Sequence, residues 1–277
     1  MENENQIILV AGATGNQGGA VAHRLLQEGN FAVHALTRDK NKPQAQALKN
    51  AGAELIEGDL NDSASLEEGL KGVYGVFSLQ DFHGGTEVEI RQGNALADAA
   101  KKAGVKHFVY SSVGSAERNT GIPHFDSKFK IEEHIQAIGL PATIIRPVFF
   151  MYNYEGMRAM IENGMLYMPL SPDKKLQQLS EDDFGKMVAK VFAQRDEFLG
   201  KQIEVTSIDI SMTEVAATFS RVMGKEIKYQ QIPFEAFQQQ AGAELTTIFR
   251  WFENVGYNAN INELEKAFFP LSSLDTY

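Results

Sequence analysis

Six short runs of β-branched or apolar residues recur through the first half of the chain: Ile7–Ala11, Ala32–Thr37, Glu54–Glu57, Val73–Leu79, His107–Ser111 and Ala142–Arg146. Between them the residues fall at helical spacing. Val21 and Ala22 are followed by Leu25 and Leu26, and Ala95, Leu96, Ala99, Ala100 and Ala103 form a stripe. Ile131, His134, Ile135 and Ile138 form another. Strands that alternate with helices pair in parallel, and the crossover helices cover both faces of the sheet. The predicted class is therefore α/β: a doubly wound parallel sheet of the Rossmann type, with any ligand at the carboxyl ends of the strands. Ser65 to Glu68, "SLEE", has the spacing of a capping box and predicts a helix start there.

After Pro147 the rhythm changes. "PVFFMYNYEGM" is aromatic and irregular, and "SEDDFGKMVAKVFAQ" predicts an amphipathic helix with Ser180 or an Asp near its start. "KQIEVTSIDIS" predicts a strand pair or a strand and a turn. "TEVAATFSRVMG" predicts a helix stopped by Gly224. The aromatic stretch around Phe249, Trp251, Phe252 and Tyr257 predicts further helix. The expected division is a nucleotide-binding domain over residues 1–150 and a smaller α+β lobe over 151–277, with some strands returning to the first domain. The second lobe is expected to roof the reactive end of a bound cofactor.

The chain has 277 residues, a formal net charge of −10 and no cysteine. An acidic chain without a Lys/Arg block argues against direct nucleic-acid binding. The missing thiols exclude disulfides and zinc–thiolate sites. The polar start "MENEN" and a following apolar run too short for a signal peptide favour the cytoplasm. "ATIIRPVFFMY" is interrupted by Arg146 and Pro147, so no membrane span is expected. The six histidines, at 23, 34, 83, 107, 124 and 134, show no metal-ligand spacing, and no metal is expected.

Gly12, Gly15 and Gly18 stand at equal spacing between the first strand and its helix. Glycine there permits a sharp turn and close approach of the backbone to a phosphate pair. The helix behind it presents free N–H groups and its positive dipole end. The turn, with Thr14, Asn16 and Gln17 inside it, is the predicted pyrophosphate cradle. At the end of the second strand an NAD site usually places Asp or Glu against the ribose 2′-hydroxyl. Here Thr37 and Arg38 stand instead, with Lys40 and Lys42 beyond. A guanidinium suits a 2′-phosphate, so the expected cofactor is NADP(H).

"GATGNQGGAVAHRLL", "ALTRD", "GDLND", "FVYSSVGSAE", "HFDSKFKIEEHI" and "IRPVFFMYN" together resemble the NmrA-like family, atypical members of the short-chain dehydrogenase/reductase superfamily. The resemblance implies an NADP-binding Rossmann lobe and a small C-terminal lobe that forms a cleft with it. It implies that Asp59 and Leu60 lie against the adenine and that Ser78–Gln80, Gln80 included, line the path to the nicotinamide ribose. It also implies that Lys128 bonds that ribose and that Pro147 to Phe149 flank the nicotinamide. Ser111, at the end of the fifth strand, is a further candidate contact.

Enzymes of the wider superfamily carry Tyr-x-x-x-Lys on the helix after the fifth strand. The spacing puts both side chains on one face, so that the Tyr passes a proton while the Lys holds the ribose. This chain has His124 and Lys128. An imidazole beside an ammonium is held neutral and is a poor acid. His124 and Lys128 are nonetheless the candidate catalytic pair, with Tyr152 and Tyr154 as alternative phenols. Two readings follow. One is an NADPH-dependent reductase of a small apolar acceptor such as a quinone. The other is a non-catalytic NADPH/NADP sensor that regulates a protein partner.

Overall fold

The computed structural model describes residues 6–276; the "MENEN" stretch lies outside them. By contacts the chain divides into two compact units. The first runs up to Arg146 and adds Phe184–Ile203; the second comprises Pro147–Asp183 and Glu204–Tyr277.

The first unit is built on β1 (Ile7–Val10), β2 (Ala32–Thr37), β3 (Glu54–Glu57), β4 (Val73–Ser78), β5 (His107–Ser111) and β6 (Ala142–Pro147). These match the six predicted runs to within one residue. They alternate with α1 (Asn16–Glu28), α2 (Pro43–Asn50), α3 (Ser63–Gly69), α4 (Thr86–Ala103) and α5 (Pro123–Ala137). Each neighbouring pair among the six is parallel. A seventh strand at Gln202–Val205 joins beside β6, giving the sheet order 202–205, β6, β5, β4, β1, β2, β3. The winding reverses between β1 and β4, and such a switch point leaves a crevice at the carboxyl ends of the strands.

The central strands β1, β4 and β5 are largely apolar because both faces are covered. Ile8, Leu9, Val76, Phe77, Phe108 and Val109 are all fully buried. Two glycines set how closely the helices pack. A Cβ on Gly93 of α4 would lie 2.6 Å from Ile131 of α5, and one on Gly185 would lie 2.7 Å from the carbonyl oxygen of Ala20 in α1.

The predicted cap of α3 is corrected. Asp62 is the N-cap, and its side chain accepts from the Ala64 N–H. Ser65 does not cap the helix: its hydroxyl accepts the Asp59 N–H at 3.0 Å and donates to the Asp62 carbonyl at 2.8 Å.

In the second unit, β7 (Phe149–Phe150), β9 (Lys175–Leu179) and β11 (Ile208–Ser211) form a sheet with β9 central, and β8 (Met165–Met168) pairs with β12 (Lys228–Gln231). The predicted strand pair in "KQIEVTSIDIS" is two strands of different sheets, the seventh strand of the first sheet being β10. Helices α6 (Arg158–Glu162), α7 (Glu181–Ala193) and α8 (Arg195–Phe198) precede β10 in the chain. Next comes α9 (Met212–Met223), held by a capping box between Ser211 and Glu214 and closed by Gly224 with φ +66°. The last helices are α10 (Phe234–Asn254) and α11 (Ile261–Ala267). Ser180 caps α7 by accepting the Asp183 N–H. The Asp183 carboxylate is not a solvated dipole partner. It is fully buried and accepts from the hydroxyls of Ser207 and Ser272 and from the Ser272 N–H.

Candidate cofactor site

The turn after β1 has the geometry of a cradle. Gly12 has φ +69°, a left-handed conformation in which a side chain is strained. A Cβ on Gly18 would lie 2.3 Å from the Gly12 carbonyl oxygen, so α1 crosses the strand end at a distance that only glycine allows. Gly15 is the N-cap of α1 and supplies no capping side chain, and the first turn holds no acid. The N–H groups opening α1 therefore lack a side-chain acceptor from their own cap. Gly12, Gly15 and Asn16 are exposed, and Thr14 and Gln17 are half-buried. Ser111, fully buried at the end of β5, donates to the Gln17 side-chain oxygen at 3.0 Å and so ties the cradle to the sheet.

At the far end of the cradle, Arg38 follows β2 and is exposed. It lines a cavity with Glu57, Gly58, Asp59, Asp62 and Ser65. The Asp59 carboxylate is held below its ordinary range, first by the backbone N–H of Asn61 and, more weakly, by the Asn61 side chain and the Arg38 charge. Leu60 packs against the core of the first unit.

Toward the other end, β4 and β5 pair with Ser78 opposite Tyr110. Gln80 is buried and donates to the Ser78 hydroxyl at 3.0 Å. Lys128 of α5 is also buried. Its ammonium lies 2.9 Å from the carboxylate of Glu89 on α4 and 5.9 Å from the centre of the Tyr110 ring. Among the described residues, Gln80 Oε1, Tyr110 OH, Ser112 Oγ, Lys128 Nζ and Glu89 Oε1 are buried without a partner in hydrogen-bond geometry. Buried polar atoms are normally satisfied, so this group has capacity for a polar ligand. The cradle and these atoms fit a dinucleotide.

His124 packs edge-on to Phe82 with ring centres 4.6 Å apart. Burial first, and the Lys128 ammonium second, lower its pKa to about 3. The expected direction holds, but desolvation is the larger cause. Tyr110 is raised well above its ordinary value by burial and then by the Glu89 and Glu132 carboxylates. Tyr154 is fully committed within the second unit, donating to Gln178 at 3.1 Å, and burial raises its pKa. Tyr152 is 40% exposed. Pro147 ends β6 and is buried. Phe149 is buried in an aromatic cluster of the second unit with Tyr154, Phe249 and Phe252.

The sequence reading did not single out Glu89, Ser127 or Tyr110. A signal for Glu89 was present: it lies seven residues before Leu96, on the stripe that α4 buries. Among the described residues there is no group of three or more possible metal ligands, and no helix is long and apolar enough to cross a membrane.

The model of the NmrA-like family matches residues 4–270. The chain is 32% identical to an NAD(P)H azoreductase of Xenophilus azovorans, over 84% of this chain and 79% of the relative. It is 30% identical to the NmrA-like family domain-containing oxidoreductase FrzB of Cladobotryum sp., over 87% of this chain and 81% of the relative. The structure of Citrobacter sp. triphenylmethane reductase superposes with a TM-score of 0.85 at 25% identity, covering 98% of this chain and 97% of that one. The same reductase complexed with NADP(H) superposes with a TM-score of 0.83 at 24% identity.

Proposed function

The chain belongs to the NmrA-like family, and from that premise we propose that it binds NADP(H) and reduces a small apolar acceptor such as a quinone. The observation that carries the reading is the cradle between β1 and α1. Gly18 cannot bear a side chain there, and the helix start is left without a capping side chain. Gly12, Thr14, Gly15, Asn16, Gln17 and Gly18 hold the pyrophosphate, and Arg38 takes the 2′-phosphate. Asp59 and Leu60 border the adenine. Gln80, Ser111 and Lys128 serve the nicotinamide ribose. A relative at 32% identity is named for NAD(P)H and an azo acceptor, which supports an aromatic acceptor here.

NADPH supplies the hydride when bound. The chain's own residues bind and orient. Lys128 grips the ribose with an ammonium that has donors to spare. His124, with a pKa of about 3, carries no spare proton at neutral pH. It serves as a hydrogen-bond donor at most, and solvent supplies the proton. Acceptors that take up hydride without a strong protein acid, as quinones do, fit this site better than simple ketones.

The same neutral His124 favours a second reading, a nicotinamide sensor that reports to a protein partner. One experiment separates them. NADPH binding is titrated, and the loss of reduced-nicotinamide absorbance is then followed with a panel of quinones and enones. Turnover that falls in Lys128→Ala supports the reductase. Tight NADPH binding without turnover on any acceptor supports the sensor, and no NADPH binding sinks both.

A further inference from the structure

We propose that Glu89 is a positioning residue for Lys128: its buried carboxylate fixes where the ammonium points, and through it the grip on the nicotinamide half of the cofactor. The proposal rests on the reading of Lys128 as a cofactor contact.

Glu89 is wholly buried in α4, a place that a carboxylate occupies only when partnered. Three groups of α5 surround it. The Lys128 ammonium lies 2.9 Å from Oε1. The Ser127 hydroxyl donates to Oε2. His124 Nδ1 lies 4.0 Å from the same oxygen. Ser127 Oγ also lies 3.1 Å from the His124 carbonyl oxygen, but its single proton goes to the carboxylate, so Glu89 is tied to the side chains of the first turns of α5, the helix that carries Lys128. The two helices meet this closely because residue 93 is glycine: a Cβ there would lie 2.6 Å from Ile131.

The Lys128 ammonium has three N–H donors, more than one carboxylate oxygen can occupy. The 2.9 Å contact lacks hydrogen-bond geometry, and both Lys128 Nζ and Glu89 Oε1 stay without a hydrogen-bond partner among the described residues. The carboxylate attracts and aims the ammonium while leaving its N–H groups to a ligand. It also cancels a positive charge. The oxidised nicotinamide ring is cationic and the reduced ring is neutral, so an ammonium without its carboxylate would selectively disfavour the oxidised form.

The test is a double-mutant cycle on cofactor binding. NADPH and NADP⁺ are titrated into the wild-type protein, Glu89→Gln, Lys128→Met and the double variant, with melting curves as a check of folding. We expect Glu89→Gln to weaken NADPH binding about tenfold in the wild-type background, the size of one hydrogen bond to a charged group. NADP⁺ should lose more than NADPH. In the Lys128→Met background the same substitution should change either affinity less than about twofold. An equal loss in both backgrounds, or no loss in the wild-type background, overturns the proposal. Lys128→Met with unchanged affinity instead overturns the reading of Lys128 as a cofactor contact. Glu89→Gln strands a buried ammonium, which alone can prevent folding. Glu89→Asp then replaces it in the native background, since it keeps the charge one methylene short. Wild-type affinity for both nucleotides in that folded variant would overturn the proposal; weaker binding of both, with the charge kept and only its position changed, would support it.

Discussion

Gly18 faces Gly12 so closely that a Cβ on Gly18 would lie 2.3 Å from the Gly12 carbonyl oxygen and 2.5 Å from its carbon. The obstacle is backbone, which cannot rotate away as a side chain can. Gly18→Ala must therefore push α1 off the end of β1. We predict a loss of about 2 kcal/mol of stability, as overpacking typically costs, together with at least about tenfold weaker NADPH binding as the cradle opens. Urea denaturation and fluorescence titration check both. Wild-type values for both would mean that the helix start adjusts freely and that the cradle is not rigid.

Arg38 shares its cavity with Glu57, Asp59 and Asp62. Its guanidinium is the positive group among three carboxylates lining that cavity. Arg38→Glu should weaken NADPH binding by about tenfold or more, since a charge-assisted bond is exchanged for repulsion, and should leave NADH binding within about twofold. Equal loss for both nucleotides would place the 2′-phosphate elsewhere. The preference for NADPH should also shrink as salt is raised, because Arg38 is exposed.

The strands and the glycine turn were legible because their signals are local. A run such as His107–Ser111 is readable because its centre, Phe108 to Tyr110, is β-branched or aromatic and β5 is buried along its whole length, and Gly12 and Gly18 are required by one turn. The pair Glu89–Lys128 was not legible, because it depends on how closely two helices pack, and Ser127 lies 38 positions from Glu89. The α3 cap was misplaced for a related reason. Asp62 and Ser65 both suit a cap, but the Ser65 hydroxyl is taken by Asp59, a contact set by how the chain leaves β3. The acids of "SEDDF" have the pattern of a solvated helix start. Asp183 instead turns inward, to Ser207 and to Ser272.

His107 makes acid stability predictable. It is fully buried, and burial first and Arg195 second lower its pKa from 6.5 to about 4. Its Nε2 faces the Thr143 hydroxyl at 2.8 Å, and that hydroxyl donates onward to the Phe198 carbonyl. Nε2 is therefore the donor, and Nδ1 has no partner among the described residues to receive a second proton's hydrogen bond. The unfolded chain binds a proton near pH 6.5 and the folded one only near pH 4, so stability is whole above that window and falls as pH drops through it. The loss should total about 3 kcal/mol by pH 4. His107→Gln should flatten this part of the curve in urea denaturation followed from pH 8 to pH 4. A slope unchanged by the substitution would assign the acid sensitivity to other groups.

Arg146 and Glu132 form a second deeply buried ion pair among the described residues of the first unit. The guanidinium grips the carboxylate with two bonds, Nε to Oε1 at 3.0 Å and Nη2 to Oε2 at 2.6 Å. It also reaches Gln202 at 2.8 Å and Glu117 at 2.7 Å. The pair joins the end of β6 to α5, the helix that carries Lys128. Glu132→Gln leaves a buried guanidinium short of its main counter-charge, and we predict a loss of about 3 kcal/mol or more. Arg146→Met with Glu132→Leu removes both charges and should recover most of that loss, since packed apolar groups replace a buried pair at little net cost. If the pair serves only stability, NADPH affinity in the double variant should match that of the wild type. Weaker binding despite recovered stability would mean that the Arg146–Glu132 clamp also sets the position of α5, and with it the reach of Lys128.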